Sequence, residues 1–484
     1  MKEKKQELAI TINKEDDISK WYTEIIQKAD LMDYSKVSGC IVYKPKSYEI
    51  WENIQTYFNK KIKKIGVKNC YFPLLIPESL LNKEEKHIEG FAAEVAWVDY
   101  GGNTKLGERL AIRPTSETIM YDSYSKWIKS YRDLPLKLNQ WNNVVRWEFK
   151  HPTPFLRGRE FLWQEGHCVF ETKKEAEDNV KTILKYYSNI YEDLLAIPVT
   201  LGRKSIGETF AGAEYSLTAE PFSTVDGKVI QACTSHFLGQ NFSDAFDINY
   251  LDKNQKKQKA WQTTWGLSTR SIGTMIIIHS DNKGLIIPPK VATEKIVIIP
   301  LLFKGKEEKV LKKAKEIQKE LKKFNVILDD RKEYSPGFKF NNWELKGIPL
   351  RIEIGPRDIE NNEVIINRRD TSEKIPTKII NLKKTCDELL KKIHLNLYEQ
   401  QKQKVKENTV EIKNYSEFKK AIKERKRCLV PWAESIESEN KIKEETGAKS
   451  SCIPLEFKNK NLKDIKCFYS NKPATCWAYF SKSH

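Results

Sequence analysis

A chain of 484 residues with 39% hydrophobic side chains, including 12 Trp, 20 Tyr and 20 Phe, carries apolar surface for more than one core and points to roughly two to four domains. Its longest apolar run, IVIIPLLF at 296–303, falls far short of the ~20 residues that cross a bilayer, which argues against a membrane-spanning helix. The net charge of +18 suggests a polyanionic partner, nucleic acid first, although a lysine-rich composition also inflates the figure.

The opening MKEKKQELAITINKEDD is polar and has no apolar segment of the secretory kind. With nine scattered cysteines, an odd number, a reduced cytoplasmic setting is expected. Next, YEIWENIQTYFNKKIKKIG (48–66) places Ile50, Ile54, Tyr57, Phe58, Ile62 and Ile65 at helical spacing, and NCYFPLLIP follows as a short strand. From there to about 280 the pattern is short strands and loops with a helix near 173–195, which reads as a mixed sheet. Beyond 290 strands and helices alternate, with Val310, Ala314, Ile317 and Leu321 on one face of a basic helix. Over 304–323 that helix carries nine Lys against four Glu. The polar stretch EQQKQKVKENT (399–409) reads as the lead into a third unit. Three domains are therefore expected, at 1–290, 291–402 and 403–484.

Only 15 of the 84 basic residues are arginine, and none precedes Arg109. In such a chain an arginine marks a place where a rigid bidentate fork is needed rather than a point charge. Three of them fall in VVRWEFKHPTPFLRGREF (144–161), around a Pro-Thr-Pro turn. Neither G-x-x-x-x-G-K-[ST] nor G-x-G-x-x-G is present, so any ATP site must be built from side chains. Taken alone, the hairpin reads first as a solvated surface of ion pairs. LAIRPTSETIM (110–120), FLWQEGH (161–167), QACTSHFLGQNF (231–242) and WGLSTRSIG (265–273) gather hydroxyls, carboxylates, His and Trp on short strands, which suggests one shared pocket.

In this order, TSET, RWE, FLWQEGH, CTSH and WGLSTR resemble the class II aminoacyl-tRNA synthetases, specifically the prolyl-tRNA synthetases of archaeal and eukaryotic type. The resemblance runs from about Trp21 to the C-terminus. It implies an α+β fold: an antiparallel-sheet catalytic domain, an α/β anticodon-binding domain and a small C-terminal α/β domain. It further implies ATP with Mg2+, L-proline and tRNA(Pro) as substrates, and a homodimer formed through the helix and strand at 48–73.

The roles that follow from the resemblance are specific. Arg146 and Arg270 would be catalytic. Arg146 would bridge the α-phosphate and the proline carboxylate, while Arg157 and Arg270 reach the outer phosphates. Phe161 would stack on adenine, Glu148 would contact its edge, and Gln231 and Thr234 would line the phosphate and magnesium region. Thr115 and Glu117 would receive the imino group, with Trp163, His236 and Ser268 closing the pocket. In the anticodon domain, Arg331, Phe340, Trp343, Glu344 and Glu353 suit recognition of splayed bases.

Two departures from the family pattern stand out. The C-terminal four-cysteine zinc site is reduced to Cys428 and Cys467, with Ala433 and Ser470 in the other two positions. No zinc site is therefore expected, since structural zinc wants four ligands, although Cys452 and Cys476 stand nearby in sequence. The chain ends in FSKSH instead of tyrosine. The interval between Phe161 and Trp265 also leaves no room for a proofreading insertion. Two competing readings are a synthetase for another small amino acid, such as threonine, and a synthetase-like RNA-binding protein without catalysis. Missing catalytic-zinc ligands weigh against the first, and the intact Arg146, Glu148, Arg157 and Arg270 against the second.

Overall fold

The computed structural model describes residues 9–85, 94–148, 150–457 and 461–484. Residues 1–8, part of the polar N-terminal stretch, and Phe149 of the arginine-bearing hairpin lie outside the described residues.

Helix α1 (Ile18–Lys28) starts where the Asp17 side chain accepts the Lys20 N–H, and it buries Trp21, Tyr22, Ile25 and Ile26. Helix α2 (Pro45–Lys64) has proline in its first turn, which suits a position whose N–H has no partner in the helix. Its apolar stripe, Ile50, Trp51, Ile54, Phe58 and Ile62, faces the chain's own core. There Phe58 stacks on Tyr187 at 5.1 Å and meets Trp265 edge-on at 5.9 Å. Burying a side chain of this size contributes about 2–3 kcal/mol. The apolar face of α2 is therefore occupied within the chain.

Helix α3 (Glu117–Trp127) precedes the central strands β1 (Leu136–Val145) and β2 (Glu160–Phe170). Helix α4 (Lys173–Asn189) opens with a capping box between Thr172 and Glu175. Strands β3 (Thr200–Arg203), β4 (Tyr215–Glu220), β5 (Cys233–Gly239) and β6 (Trp261–Ser268) and helix α5 (Arg270–His279) complete the domain. The strands lie in the order β3-β4-β5-β6-β2-β1, each antiparallel to its neighbour.

Because side chains alternate across a strand, the register sorts two faces. Gln164, Gly166, Ser235, Phe237 and Trp265 lie on the core side. Gly166 sits opposite Trp265, and a methyl group there would come 2.1 Å from the indole, so only glycine fits beneath that ring. Trp163, Glu165, His167, Thr234, His236, Thr264 and Ser268 share the other face.

The second domain contains β7 (Ile296–Pro300), α6 (Glu307–Glu320), β8 (Val326–Leu328), α7 (Pro336–Leu345), β9 (Leu350–Ile354), β10 (Glu363–Arg368) and β11 (Lys374–Lys378). Its sheet runs β8-β7-β9-β10-β11, with β7 parallel to β8 and β9 and the remaining pairs antiparallel. Helix α6 buries Val310, Ala314 and Ile317, as its spacing predicts, and Leu321 beyond its end is buried too.

The polar stretch at 399–409 is not a linker. It lies largely in α8 (Leu382–Glu407), a helix of 26 residues, so the expected boundary at 402 falls inside a continuous element. Lys, Gln and Glu are good helix formers, and Gln401 docks the helix by donating to the Ile278 carbonyl at 3.1 Å.

In the last unit, β12 (Arg427–Trp432), α9 (Ile436–Thr446), β13 (Lys449–Pro454) and β14 (Cys476–Ser483) surround Phe418, Val430, Trp432, Ile442, Phe468 and Phe480. Leu455, immediately after β13, is 40% exposed. Strand β13 pairs with both β14 and β3, so this unit extends the catalytic sheet. At that seam Gly202 lies so close to Cys452 that a methyl group would approach its sulfur to 2.5 Å.

Candidate active site

The mixed polar face of the sheet opens onto a cavity of about 230 Å³, lined by Thr115, Glu117, Arg146, Trp163, Thr234 and His236 among others. A second cavity of about 290 Å³ adjoins it through Gln231 and holds Arg157 and Arg270. Most residues that the motifs single out for proline and phosphate binding therefore meet at one place, although they come from four separate stretches of chain.

The Thr115–Glu117 end of the first cavity is held from below. The Thr115 hydroxyl donates to the Glu117 carboxylate, whose other oxygen accepts from Thr264 at 3.3 Å. Beneath them Glu165 accepts from Ser116, Gln140, Asn142 and His167. Burial alone would push the Glu165 carboxyl up, but the bonds from His167 and Ser116 and the imidazolium charge outweigh it and hold the group down. Burial alone would push His167 down, yet its Glu165 bond and the carboxylate charges raise it. Both shifts run in the direction that favours the ion pair. Among the described residues, Glu117, Glu165 and His167 form the one group of potential metal ligands. The hydrogen bonds just named already engage these side chains, and no cysteine joins them.

His236 is different. Its Nδ1 lies 2.7 Å from Ser216 Oγ and its ring packs against Phe210 at 4.8 Å. Burial, with the charges of His167 and Lys204, pushes its pKa down to about 3, so it is neutral at physiological pH and presents an uncharged wall.

At the opposite end the guanidinium groups are steered by backbone carbonyls. Arg146 Nε donates to Pro114 O at 3.0 Å, and its guanidinium lies 5.2 Å from the Trp163 ring and 5.5 Å from Phe161. Arg270 donates to Leu156 O at 2.8 Å and to Gln231 O at 3.0 Å. Burial and the nearby charges of Arg157 and Arg146 lower the Arg270 pKa to about 10, which still leaves it charged. Arg157 Nη2 stands 3.4 Å from the His484 backbone oxygen, and the His484 imidazole lies 2.9 Å from Asp226. Ser483 and His484 thus line the second cavity.

Three residues sit apart from the expected arrangement. Ser268 shares the reactive face, but its hydroxyl accepts the Arg270 N–H at 3.2 Å at the start of α5, and it does not line the first cavity. Phe161 meets Trp163 edge-on at 5.9 Å and lines a separate recess with Tyr43 and Gly158. Glu148 is exposed and lines neither large cavity. Conversely, Lys204, Glu208 and Phe210 line the first cavity, and no motif singled them out. Glu165 and His167 stood inside the quoted FLWQEGH, where i, i+2 alternation with Trp163 was the available signal.

In the second domain, Asp329 accepts from Arg331 at 2.7 Å and from Trp343 Nε1 at 2.8 Å. Arg351 lies 4.3 Å from the Phe340 ring and donates to Glu353 at 2.9 Å. Glu353 is buried in this pair, which leaves it poorly placed as a free base-edge acceptor. Glu344 lies 3.5 Å from Lys283, and its carbonyl accepts from Arg369.

An antiparallel sheet with arginine-lined cavities on one face is the architecture of the class II aminoacyl-tRNA synthetases, and residues 97–279 match the tRNA synthetase class II core domain (G, H, P, S and T). Residues 295–389 match the anticodon binding domain, and 415–484 match the family described as Prolyl-tRNA synthetase, C-terminal. The proline--tRNA ligase of Alkaliphilus oremlandii is 49% identical, with 97% of this chain aligned to 96% of that protein. The bifunctional glutamate/proline--tRNA ligase of Cricetulus griseus is 44% identical over 99% of this chain, which spans 33% of that longer protein. The crystal structure of prolyl-tRNA synthetase from Cryptosporidium parvum complexed with halofuginone and AMPPNP superposes with a TM-score of 0.95 at 44% identity, covering 99% of this chain and 100% of that one. The chain belongs to the prolyl-tRNA synthetase family.

The neutral His236 has a consequence for stability. Below its ordinary value of 6.5 the unfolded chain takes up a proton that the folded chain refuses until about 3. Its contribution is therefore lost as pH falls through this window, at a slope approaching about 1.4 kcal/mol per pH unit. Urea titrations at several pH values should show a shallower loss in His236→Asn than in the parent. Equal slopes would mean that the folded state accepts the proton.

Proposed function

We propose that this chain joins L-proline to tRNA(Pro) in two ATP-dependent steps, with proline in the cavity of Thr115, Glu117 and His236 and ATP across the cluster of Arg146, Arg157 and Arg270. One observation carries the reading: three guanidinium groups converge on a space that continues into a small, partly apolar pocket. The proline imino group has two N–H donors when protonated, and Thr115 Oγ1 and the Glu117 carboxylate supply acceptors. Trp163, His236 and Phe210 suit an uncharged ring. Its carboxylate would then point toward Arg146.

In the first step a proline carboxylate oxygen attacks the α-phosphorus, the bond to the β-phosphate breaks, and pyrophosphate leaves. Arg146 neutralises charge on the two anions that must approach, and Arg157 and Arg270 draw off the outgoing phosphates. A ribose hydroxyl of the tRNA then attacks the prolyl carbonyl and AMP departs. No protein nucleophile is required. Magnesium enters with ATP as part of the substrate. Gln231 and Thr234 offer neutral oxygens to an ion held chiefly by phosphates. Phe161 and Glu148 remain the proposed adenine contacts, with Arg331, Phe340 and Glu344 the proposed anticodon contacts.

Two assembly features belong to the same reading. The protein acts as a homodimer, supported by the large exposed side chains Tyr71, Leu75 and Trp127 on and beside the 68–77 segment. Light scattering should give the mass of two chains at micromolar concentration, and a one-chain mass would rule the dimer out. The C-terminal unit is held by its apolar core instead of zinc. Elemental analysis should find well under one zinc per chain, whereas stoichiometric zinc on Cys428, Cys452, Cys467 or Cys476 would contradict this. A cytoplasmic location fits nine cysteines that all stand as free thiols.

Arg146→Ala should lower the maximal rate of proline-dependent ATP–pyrophosphate exchange by about 10²–10³-fold, the loss typical of removing a donor to transition-state charge. An unchanged rate at saturating proline and ATP would remove Arg146 from the mechanism.

A further inference from the structure

The segment 203–208 reaches the first cavity from one side and the C-terminal unit from the other. Lys204 and Glu208, together with Phe210 just beyond, line the cavity. Phe210 lies over His236, and its N–H donates to Ser216, the same hydroxyl that meets His236. The segment thus forms one wall of the space around Thr115 and Glu117.

The wall is held from both sides: on β4 Glu220 pairs with Lys204 at 2.8 Å and Ser216 O accepts the Lys204 N–H, and the C-terminal unit supplies the rest. Glu434 accepts both forks of Arg203, at 2.6 and 3.2 Å, and also the Ile206 N–H at 2.9 Å. Glu439, on α9, accepts from Ser205 Oγ at 2.8 Å. Lys449 on β13 pairs with Glu208 at 2.6 Å, and Lys204 donates to the Ser451 carbonyl at 3.0 Å. Gly207 packs so closely that a methyl group would lie 3.0 Å from Glu439 Oε2.

The contacts of Glu439, Ser205 and Lys204 are buried, while the Arg203–Glu434 and Lys449–Glu208 pairs are partly exposed. Glu439 is 4% exposed, Lys204 3% and Ser205 fully buried. A buried polar group that loses its partner bears the full cost of desolvation, so the wall and the C-terminal unit keep one relative position. The central sheet supplies Glu220 to Lys204, and the C-terminal unit supplies the partners of Arg203, Ser205, Ile206 and Glu208.

We propose that Glu434 and Glu439 are positioning residues for the proline pocket. By fixing 203–208 they set Lys204, Glu208 and Phe210 against the amino acid, so the C-terminal unit governs amino-acid affinity. The inference rests on the assignment of proline to the Thr115–Glu117 cavity. Neither glutamate touches substrate. Their effect should therefore appear in proline KM, since a slack wall weakens binding of the small ligand while the arginines that serve the phosphates stay in place.

The test is ATP–pyrophosphate exchange on the full-length protein, with proline and ATP varied separately. Glu434→Ala and Glu439→Ala should each raise proline KM about tenfold while kcat and ATP KM stay within about threefold. Glu439→Gln keeps an oxygen acceptor for Ser205 and should recover most of the affinity. Thr115→Val serves as the reference for the pocket itself. If it raises proline KM and both alanine variants leave proline KM unmoved, the positioning role is overturned and the pocket stands. If Thr115→Val also has no effect, the pocket assignment fails, and the positioning role with it. A variant that loses only the amount of active enzyme, with KM unchanged, shows a merely structural role and also overturns the proposal. Should the alanine variants not fold, Arg203→Lys keeps the charge but loses the fork to Glu434, and it is judged by the same shift in proline KM.

Discussion

Positive charge is crowded at one end of the cleft, and the rest of the site is arranged around that fact. Arg146 and Arg270 are anchored through backbone carbonyls, so their guanidinium charges are oriented without being neutralised at those contacts. Burial and mutual repulsion already lower the Arg270 pKa. A fold that keeps such a cluster together is poised for a polyanion, because bound phosphates relieve the repulsion and supply the missing counter-charge. The opposite end of the cleft is built on the contrary principle. Glu165 and His167 neutralise each other below the floor, and the uncharged His236 forms a wall. One face of one sheet thus presents a cationic region and a small polar pocket side by side.

Strand alternation makes this possible. The side of β2, β5 and β6 that carries Gln164, Gly166, Phe237 and Trp265 packs on helices α2 and α4, with Phe58, Tyr187 and Trp265 in mutual contact. Every second residue is thereby committed to the core. The residues between them are pointed together into the cleft. The C-terminal unit continues the same sheet through β13 and β3, so the cleft wall at 203–208 is built by two domains.

Much of this was legible in the sequence because the site is encoded in short stretches. Trp163, Glu165 and His167, or Thr234 and His236, are two residues apart, and that spacing alone places them on one face of a strand. Arg113 shows the limit of such reading. Although it belongs to the same arginine-poor background, it is fully buried, donating to Phe72 O and Asn143 O, and it serves the fold. The helix at 399–407 was missed because a run of Lys, Gln and Glu satisfies a linker and a solvated helix face alike. Lys204 and Glu208 were not legible at all. Lys204 is held by Glu220 and by Ser451 O, and Glu208 pairs with Lys449, so two of their three partners stand more than 200 residues further on. The apolar face of α2 had the reverse problem: its periodicity is plain, but periodicity cannot say whether a helix face meets its own core or a second chain.

The most direct measurement is a crystal structure with a nonhydrolysable sulfamoyl analogue of prolyl-adenylate. The account predicts the pyrrolidine nitrogen within hydrogen-bond reach of Thr115 Oγ1 and the Glu117 carboxylate, the ring between Trp163 and His236, and the sulfamoyl group against Arg146. A pyrrolidine ring lodged instead in the second cavity, beside His151 and Lys228, with Arg146 turned away from the ligand, would contradict it.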